Sequence, residues 1–265
     1  EGTTGYDALT LIDRVLVDSD GVGALHALED SLRTTPLDWS DEVHRGKRMI
    51  ADTILGSEVS RLVRDALRDM AARGIPPRNA PETLHDALAE LLTAFPVYRS
   101  YLPYGRTSVE TALTRAAERR PELFDAIEEV APLLLDARST LAQRFQQTSG
   151  MVMAKGVEDT AFYRTAVLST LTEVGADPSI ESVSPEEFLR ILAERDITMP
   201  ASMTTLSTHD TKRGEDTRAR ITALSEVPDL WRTFLARRRE HFPLENPVFE
   251  NLLWQAIVGS WPRDR

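Results

Sequence analysis

Apolar residues recur with helical spacing through most of the first 150 positions. In residues 57–73, "SEVSRLVRDALRDMAAR", they fall at Val59, Leu62, Val63, Ala66, Leu67 and Met70, one face of a helix. Ser57 is placed to cap it, and "GIPP" from Gly74 closes it. In residues 79–95, "NAPETLHDALAELLTAF", the buried stripe reads Leu84, Leu88, Leu91, Leu92 and Phe95, with Asn79 as cap and Glu82 reaching back. Thr107 with Glu110 repeats that capping pattern. Pro121 suits a first helical turn, and Pro132 is expected to kink or divide the segment around it.

The pattern changes after Gly150. "MVMAKG" (151–156) and "ASMTTLST" (201–208) read as short strands. Between them "PEEFLRILAERD" reads as a helix, opened by a capping box from Ser184 to Glu187. Helices resume in "EDTRARITALSEV", "PDLWRTFLARRREHF" and "NPVFENLLWQAIVGSW". Two short strands cannot make an independent sheet. The expected fold class is therefore mainly α, with a few short strands from an incomplete sheet. The expected division is a helical subdomain over 1–150 and a second segment over 151–265.

Composition narrows the function classes. The chain has 265 residues, 42% of them hydrophobic, enough for a sizeable core. Its formal charge of −11 argues against wrapping a phosphate backbone, so no nucleic-acid partner is expected. Arg237-Arg238-Arg239 and Lys47-Arg48 read as solvated helix faces. There is no cysteine, which excludes disulfides and thiolate chemistry. No membrane-length apolar run and no signal-peptide pattern occur, so a cytoplasmic location and no membrane partner are expected. The first residue is not Met, and the expectation is a segment of a longer chain.

Two stretches concentrate charge beside the strand-like runs. "MAKGVEDTAFYR" holds Lys155, Glu158, Asp159, Tyr163 and Arg164; "LSTHDTKRGEDTRARI" holds His209, Asp210, Lys212, Arg213, Glu215 and Asp216. In barrel enzymes catalytic side chains stand where an apolar strand ends. Glycosyl transfer through an oxocarbenium-like state needs carboxylates, and Asp210 could stabilise that charge while His209 grips sugar hydroxyls. Lys155 and Arg164 could hold hydroxyls, and Tyr163 could stack on a sugar face. The plainer alternatives are that Glu158 and Asp159 cap a helix, that Glu215-Asp216 are an acidic first turn, and that Lys212-Arg213 pair with them. His26, His44, His85 and His241 lie inside helical patterns and read as structural or exposed. No metal-ligand spacing and no phosphate-binding glycine loop is present, so no metal is expected.

"GTTGYDAL", "FPVYRSYL", "MAKGVEDTAFYR" and "LSTHDTKRGEDTRARI", in this order between Gly2 and Ile221, together resemble the maltooligosyltrehalose synthases of the α-amylase superfamily. The resemblance implies a (β/α)₈ barrel with a helical insertion. It implies an intramolecular transglycosylation that turns the reducing-end α-1,4 linkage of a maltooligosaccharide into an α,α-1,1 linkage, without a cofactor. It also implies that Asp210 is the third catalytic carboxylate. His209 would be its neighbouring sugar ligand, and Lys155, Glu158, Asp159, Tyr163, Arg164, Lys212 and Arg213 would be substrate-binding cleft residues. The family's nucleophile and acid/base lie on strands before "GTTGYD", and Glu1 is too close to that block to serve. The expectation is an internal segment, inactive alone. A non-catalytic α-glucan-binding or scaffolding module is the alternative, and a helical protein-interaction domain a third class.

Overall fold

The computed structural model describes residues 4–262. Glu1 and the first residues of the "GTTGYDAL" block lie outside that range. The described residues form twelve α-helices joined by short 3₁₀ turns and one π-helical turn, with no strand among them. Their one β-type pairing is an isolated bridge between Tyr101 and Tyr104. The chain divides into two compact units. One joins the chain up to Leu37 with the chain from Phe162 onward; the other runs Asp38–Ala161.

The continuous unit holds α3 (Trp39–Asp52), α4 (Gly56–Ala72), α5 (Pro81–Ala94), α6 (Arg106–Arg119), α7 (Phe124–Leu134) and α8 (Thr140–Met153). The stripes read from the sequence face its core. Val59, Leu62 and Ala66 of α4 and Leu84, Leu88, Leu91 and Leu92 of α5 are fully buried. Each such leucine contributes about 1.5–3 kcal/mol relative to exposure. Phe95 and Phe145 meet edge to face, with ring centroids 5.5 Å apart.

Three expected caps are corrected. Gly56 already begins α4, so Ser57 lies inside it. Pro81 fixes the first turn of α5, which makes Ala80 the cap residue. The Asn79 amide instead donates to Glu129 at 2.7 Å, and the Arg78 and Asn79 backbone N–H groups bond the same carboxylate at 2.6 and 3.1 Å. The third, α6, starts at Arg106 after Gly105, whose φ of 75° turns the chain into the helix, leaving Thr107 within it.

The discontinuous unit holds α1 (Tyr6–Val15), α2 (Ser19–Ser31), α9 (Pro185–Thr198), α10 (Glu215–Thr222), α11 (Pro228–His241) and α12 (Pro247–Ser260). Ser184 caps α9, accepting from the Glu187 N–H at 3.2 Å as expected. Residues 165–174 are buried yet lack regular structure apart from a 3₁₀ turn at Ser169–Thr172. A buried irregular backbone needs side-chain partners. Asn251 and Gln255 of α12 donate to the Ala166 carbonyl at 2.8 and 2.7 Å, and the Ser169 N–H donates to Gln255 at 2.7 Å. The Arg14 guanidinium of α1 donates to the carbonyls of Thr170 and Leu171 at 3.2 and 2.9 Å.

Neither expected strand forms. Residues 151–153 are the last of α8, whose buried Leu141, Phe145 and Val152 keep helical spacing into "MVM". Ala154–Glu158 continues as the π-helical turn. "ASMTTLST" is a loop in which Met203 and Leu206 are exposed, without a neighbouring strand to complete its hydrogen bonds. No helix among the described residues is long and apolar enough to cross a membrane.

Candidate functional site

His209 and Asp210 occupy a tight turn between α9 and α10. The Asp210 N–H donates to Thr208 Oγ1 at 3.1 Å, and Thr211 Oγ1 donates to the Thr208 carbonyl at 3.0 Å. The Tyr6 hydroxyl reaches Thr208 Oγ1 at 3.1 Å from α1. Thr208 is thus held from both sides, while His209 and Asp210 are exposed. Neither the His209 ring nor the Asp210 carboxylate has a side-chain partner among the described residues.

Two buried groups fix the turn from below. The Glu173 carboxylate, 1% exposed, accepts from the N–H groups of Lys212 at 2.6 Å and Arg213 at 3.1 Å. Arg218, 2% exposed on α10, donates from Nε to Asp13 at 3.0 Å. Its two Nη groups donate to the carbonyls of Leu206 and Arg213, one at each end of the turn. A guanidinium offers five donors in a fixed plane, so one side chain can tie two loop ends to a carboxylate. Burial pushes the Asp13 carboxyl up even against the opposing pull of Arg218. Burial likewise lowers Arg213, whose guanidinium donates to the Ser169 carbonyl at 3.2 Å.

The sequence-derived candidates divide between the units. His209, Asp210, Lys212, Arg213, Tyr163 and Arg164 belong to the discontinuous unit, where Tyr163 interacts electrostatically with Arg213. Lys155, Glu158 and Asp159 belong to the continuous one. Lys155 Nζ pairs with Asp159 at 2.6 Å at the surface, whereas Glu158 is buried within the π-helical turn. Sequence reasoning missed Glu173, Asp13 and Arg218. For Arg218 a signal existed: it lies three and four residues before Ile221 and Thr222, on the buried face of α10.

Over 262 residues the chain is 38% identical to a Mycobacterium tuberculosis protein provisionally designated a maltooligosyl trehalose synthase; the match takes in 99% of this chain and 33% of that one. It superimposes with a TM-score of 0.90 and 46% identity on the structure of maltooligosyltrehalose synthase from Arthrobacter ramosus, over 98% of this chain and 33% of that one. The chain is homologous to a segment of maltooligosyltrehalose synthase. It spans about a third of the length of the relatives it matches. A glycosyltrehalose synthase structure, DSM5389, aligns more distantly, at 27% identity and a TM-score of 0.76. No protein-family model matches the chain. The homology to maltooligosyltrehalose synthase spans nearly the whole chain, so it takes in both units.

Proposed function

We propose that this chain is the part of an intramolecular transglycosylase that supplies the helical insertion and the His209-Asp210 turn. On this reading the insertion expected over 1–150 is centred on the unit Asp38–Ala161, and residues 151–265 contribute to the barrel. The parent activity converts the reducing-end α-1,4 linkage of a maltooligosaccharide to an α,α-1,1 linkage. What carries the reading is an unpartnered carboxylate on a turn tied at both ends by Arg218, within a stretch homologous to maltooligosyltrehalose synthase.

The chemistry follows from charge. Breaking the glycosidic bond develops positive charge on the anomeric carbon, and a fixed carboxylate stabilises that charge more than the neutral ground state. Asp210 takes that role, and His209 hydrogen-bonds hydroxyls of the same ring. Lys155, Glu158, Asp159, Tyr163, Arg164, Lys212 and Arg213 are assigned to substrate binding. Double displacement needs two further carboxylates, a nucleophile and an acid/base, which this reading assigns to the other two thirds of the relatives' length.

The test is turnover of maltopentaose, followed as loss of reducing ends and formation of the 1,1-linked product. The complete enzyme containing this segment is expected to be active, and its Asp210→Asn variant to lose at least about 100-fold in kcat with folding unchanged. The 265-residue chain alone is expected to be inactive. Turnover by that chain alone would overturn the assignment and require its own acids to be nucleophile and proton donor.

A further inference from the structure

The continuous helical unit contains a cavity of about 640 Å³. Its wall includes His44 and Lys47 from one face of α3, Phe95 at the end of α5, and Arg115, Glu118 and Arg119 from the last turns of α6. Lys47 is only 2% exposed, and its Nζ donates to the Phe95 carbonyl at 2.7 Å. No carboxylate lies within ion-pair distance of Lys47 or of Arg115 among the described residues. His44 and Arg119, by contrast, are already answered, by Glu90 at 2.8 Å and Asp41 at 2.7 Å. Glu118 is the one acidic residue in the wall.

Lys47 is buried without a counter-ion in a chain of net charge −11, and the exposed Arg115 stands in the same cavity wall. A buried ammonium normally has a carboxylate partner, because a neutral carbonyl alone does not repay its desolvation. Here burial, and secondarily the Arg115 charge, push Lys47 down to about 7. An anionic ligand would supply the missing charge to both side chains.

We infer that this cavity binds a phosphate monoester of monosaccharide size, its phosphate held by Lys47 and Arg115. Phosphate accepts several charge-assisted hydrogen bonds at once, which suits an ammonium beside a guanidinium. The volume lies within the range of small-molecule sites and far exceeds an inorganic ion. The mixed lining of Ser40, Thr93 and Glu118 with Val43 and Met153 suits a hydroxylated ring. The inference stands apart from the transglycosylation proposed above and uses none of its residues.

Binding is linked to a proton. A bound dianion favours the charged form of Lys47, so the complex takes up a proton when formed above about pH 7. His44 on the same helix and Arg115, Glu118 and Arg119 from α6 are the other charged or titratable groups facing the cavity.

Isothermal titration calorimetry tests this on the 265-residue chain and on the complete enzyme containing it. The probes are glucose 6-phosphate, inorganic phosphate and uncharged maltose, at pH 8, in two buffers of different ionisation enthalpy. At that pH the phosphates are already largely dianions, so proton uptake reports the protein. The expected result is that glucose 6-phosphate binds at least tenfold more tightly than inorganic phosphate, that maltose does not bind at this site, and that uptake approaches one proton. Lys47→Met should abolish the uptake and weaken binding at least tenfold. Arg115→Gln, at an exposed position that leaves the fold intact, should weaken it about tenfold.

Four results would overturn the inference: affinity unchanged in both variants, equal binding of maltose, equal binding of inorganic phosphate, or binding by the 265-residue chain that is absent from the complete enzyme. The last would mean that another part of the enzyme fills the cavity.

Discussion

Arg218 carries more of the candidate site than its position in a charged helix suggests. It is buried against Asp13, with side-chain exposures of 2% and 6%, and it ties Leu206 and Arg213 across the turn. Removing one member of a buried, hydrogen-bonded ion pair strands the other, which costs about 3–5 kcal/mol. Arg218→Met is therefore expected to lower the unfolding free energy by that amount. Asp210→Asn, at an exposed position, should leave the unfolding free energy within about 0.5 kcal/mol. Paired urea denaturation curves of the two variants check the contrast, and an equal loss in both would refute it.

Lys47 behaves oppositely. Its folded pKa of about 7 lies below the ordinary value of 10.5, so the unfolded chain binds more protons between those values. The unfavourable burial is fully present below about pH 7 and relieved as pH rises toward 10.5. Lys47→Met should accordingly gain stability over the parent chain at pH 7, with the advantage shrinking steadily by pH 10. A constant difference across that range would show that Lys47 is not titrating. The His-Asp pair was legible in the sequence because the motif is local. Asp13 and Glu173 were not, and of Arg218 only its place on the buried face of α10 was, because Asp13 and Arg218 are 205 positions apart and meet only in the folded chain.

At the scale of elements, local periodicity was legible wherever one face of a helix was buried, as in α4 and α5. It failed where two readings shared a short apolar run. "MVMAKG" satisfies both a buried strand and a helix end, and α8 extends into it as a helix before the π turn. The caps missed for a different reason. Asn79 is bound by Glu129, fifty positions away, and no local pattern announces that.

The π turn also packs unusually close to α3. A Cβ on Gly46 would stand 2.3 Å from the Gly156 carbonyl oxygen, and one on Gly156 would stand 2.5 Å from the Lys47 Cα. Both contacts are with backbone and cannot be relieved by a rotamer. Gly46→Ala and Gly156→Ala are each expected to cost about 1–3 kcal/mol. Gly23, inside α2, meets nothing within 4 Å, so Gly23→Ala should stabilise by about 0.5–1 kcal/mol. Thermal denaturation of the three variants decides the matter, and a neutral Gly46→Ala would refute the close packing.

At the scale of the molecule, the two units differ in how the chain builds them. The main core cluster running from Ala51 to Val152 lies wholly within Asp38–Ala161, a single continuous stretch. That stretch is expected to fold alone, with helical circular dichroism and one cooperative denaturant transition. A non-cooperative transition would mean that its stability depends on the flanking chain. The other unit requires both of its segments. Val22, Leu25 and Leu28 of α2 share a cluster with Leu171, Ile221 and Trp231, so the isolated first segment should remain unfolded.

That interleaving sets a timetable during synthesis. A ribosome adds about 5–20 residues each second, and domains commonly fold as they emerge. Asp13 is made 205 residues before Arg218, so α1 waits on the order of 10–40 seconds for the partner that buries its carboxylate. The helical unit is complete well inside that interval. α1 and α2 therefore still await Ile221, Trp231 and Arg218 when the inserted unit is already finished. A chaperone acting during synthesis is thus expected to hold α1 and α2, rather than the inserted bundle, until α10 and α11 emerge.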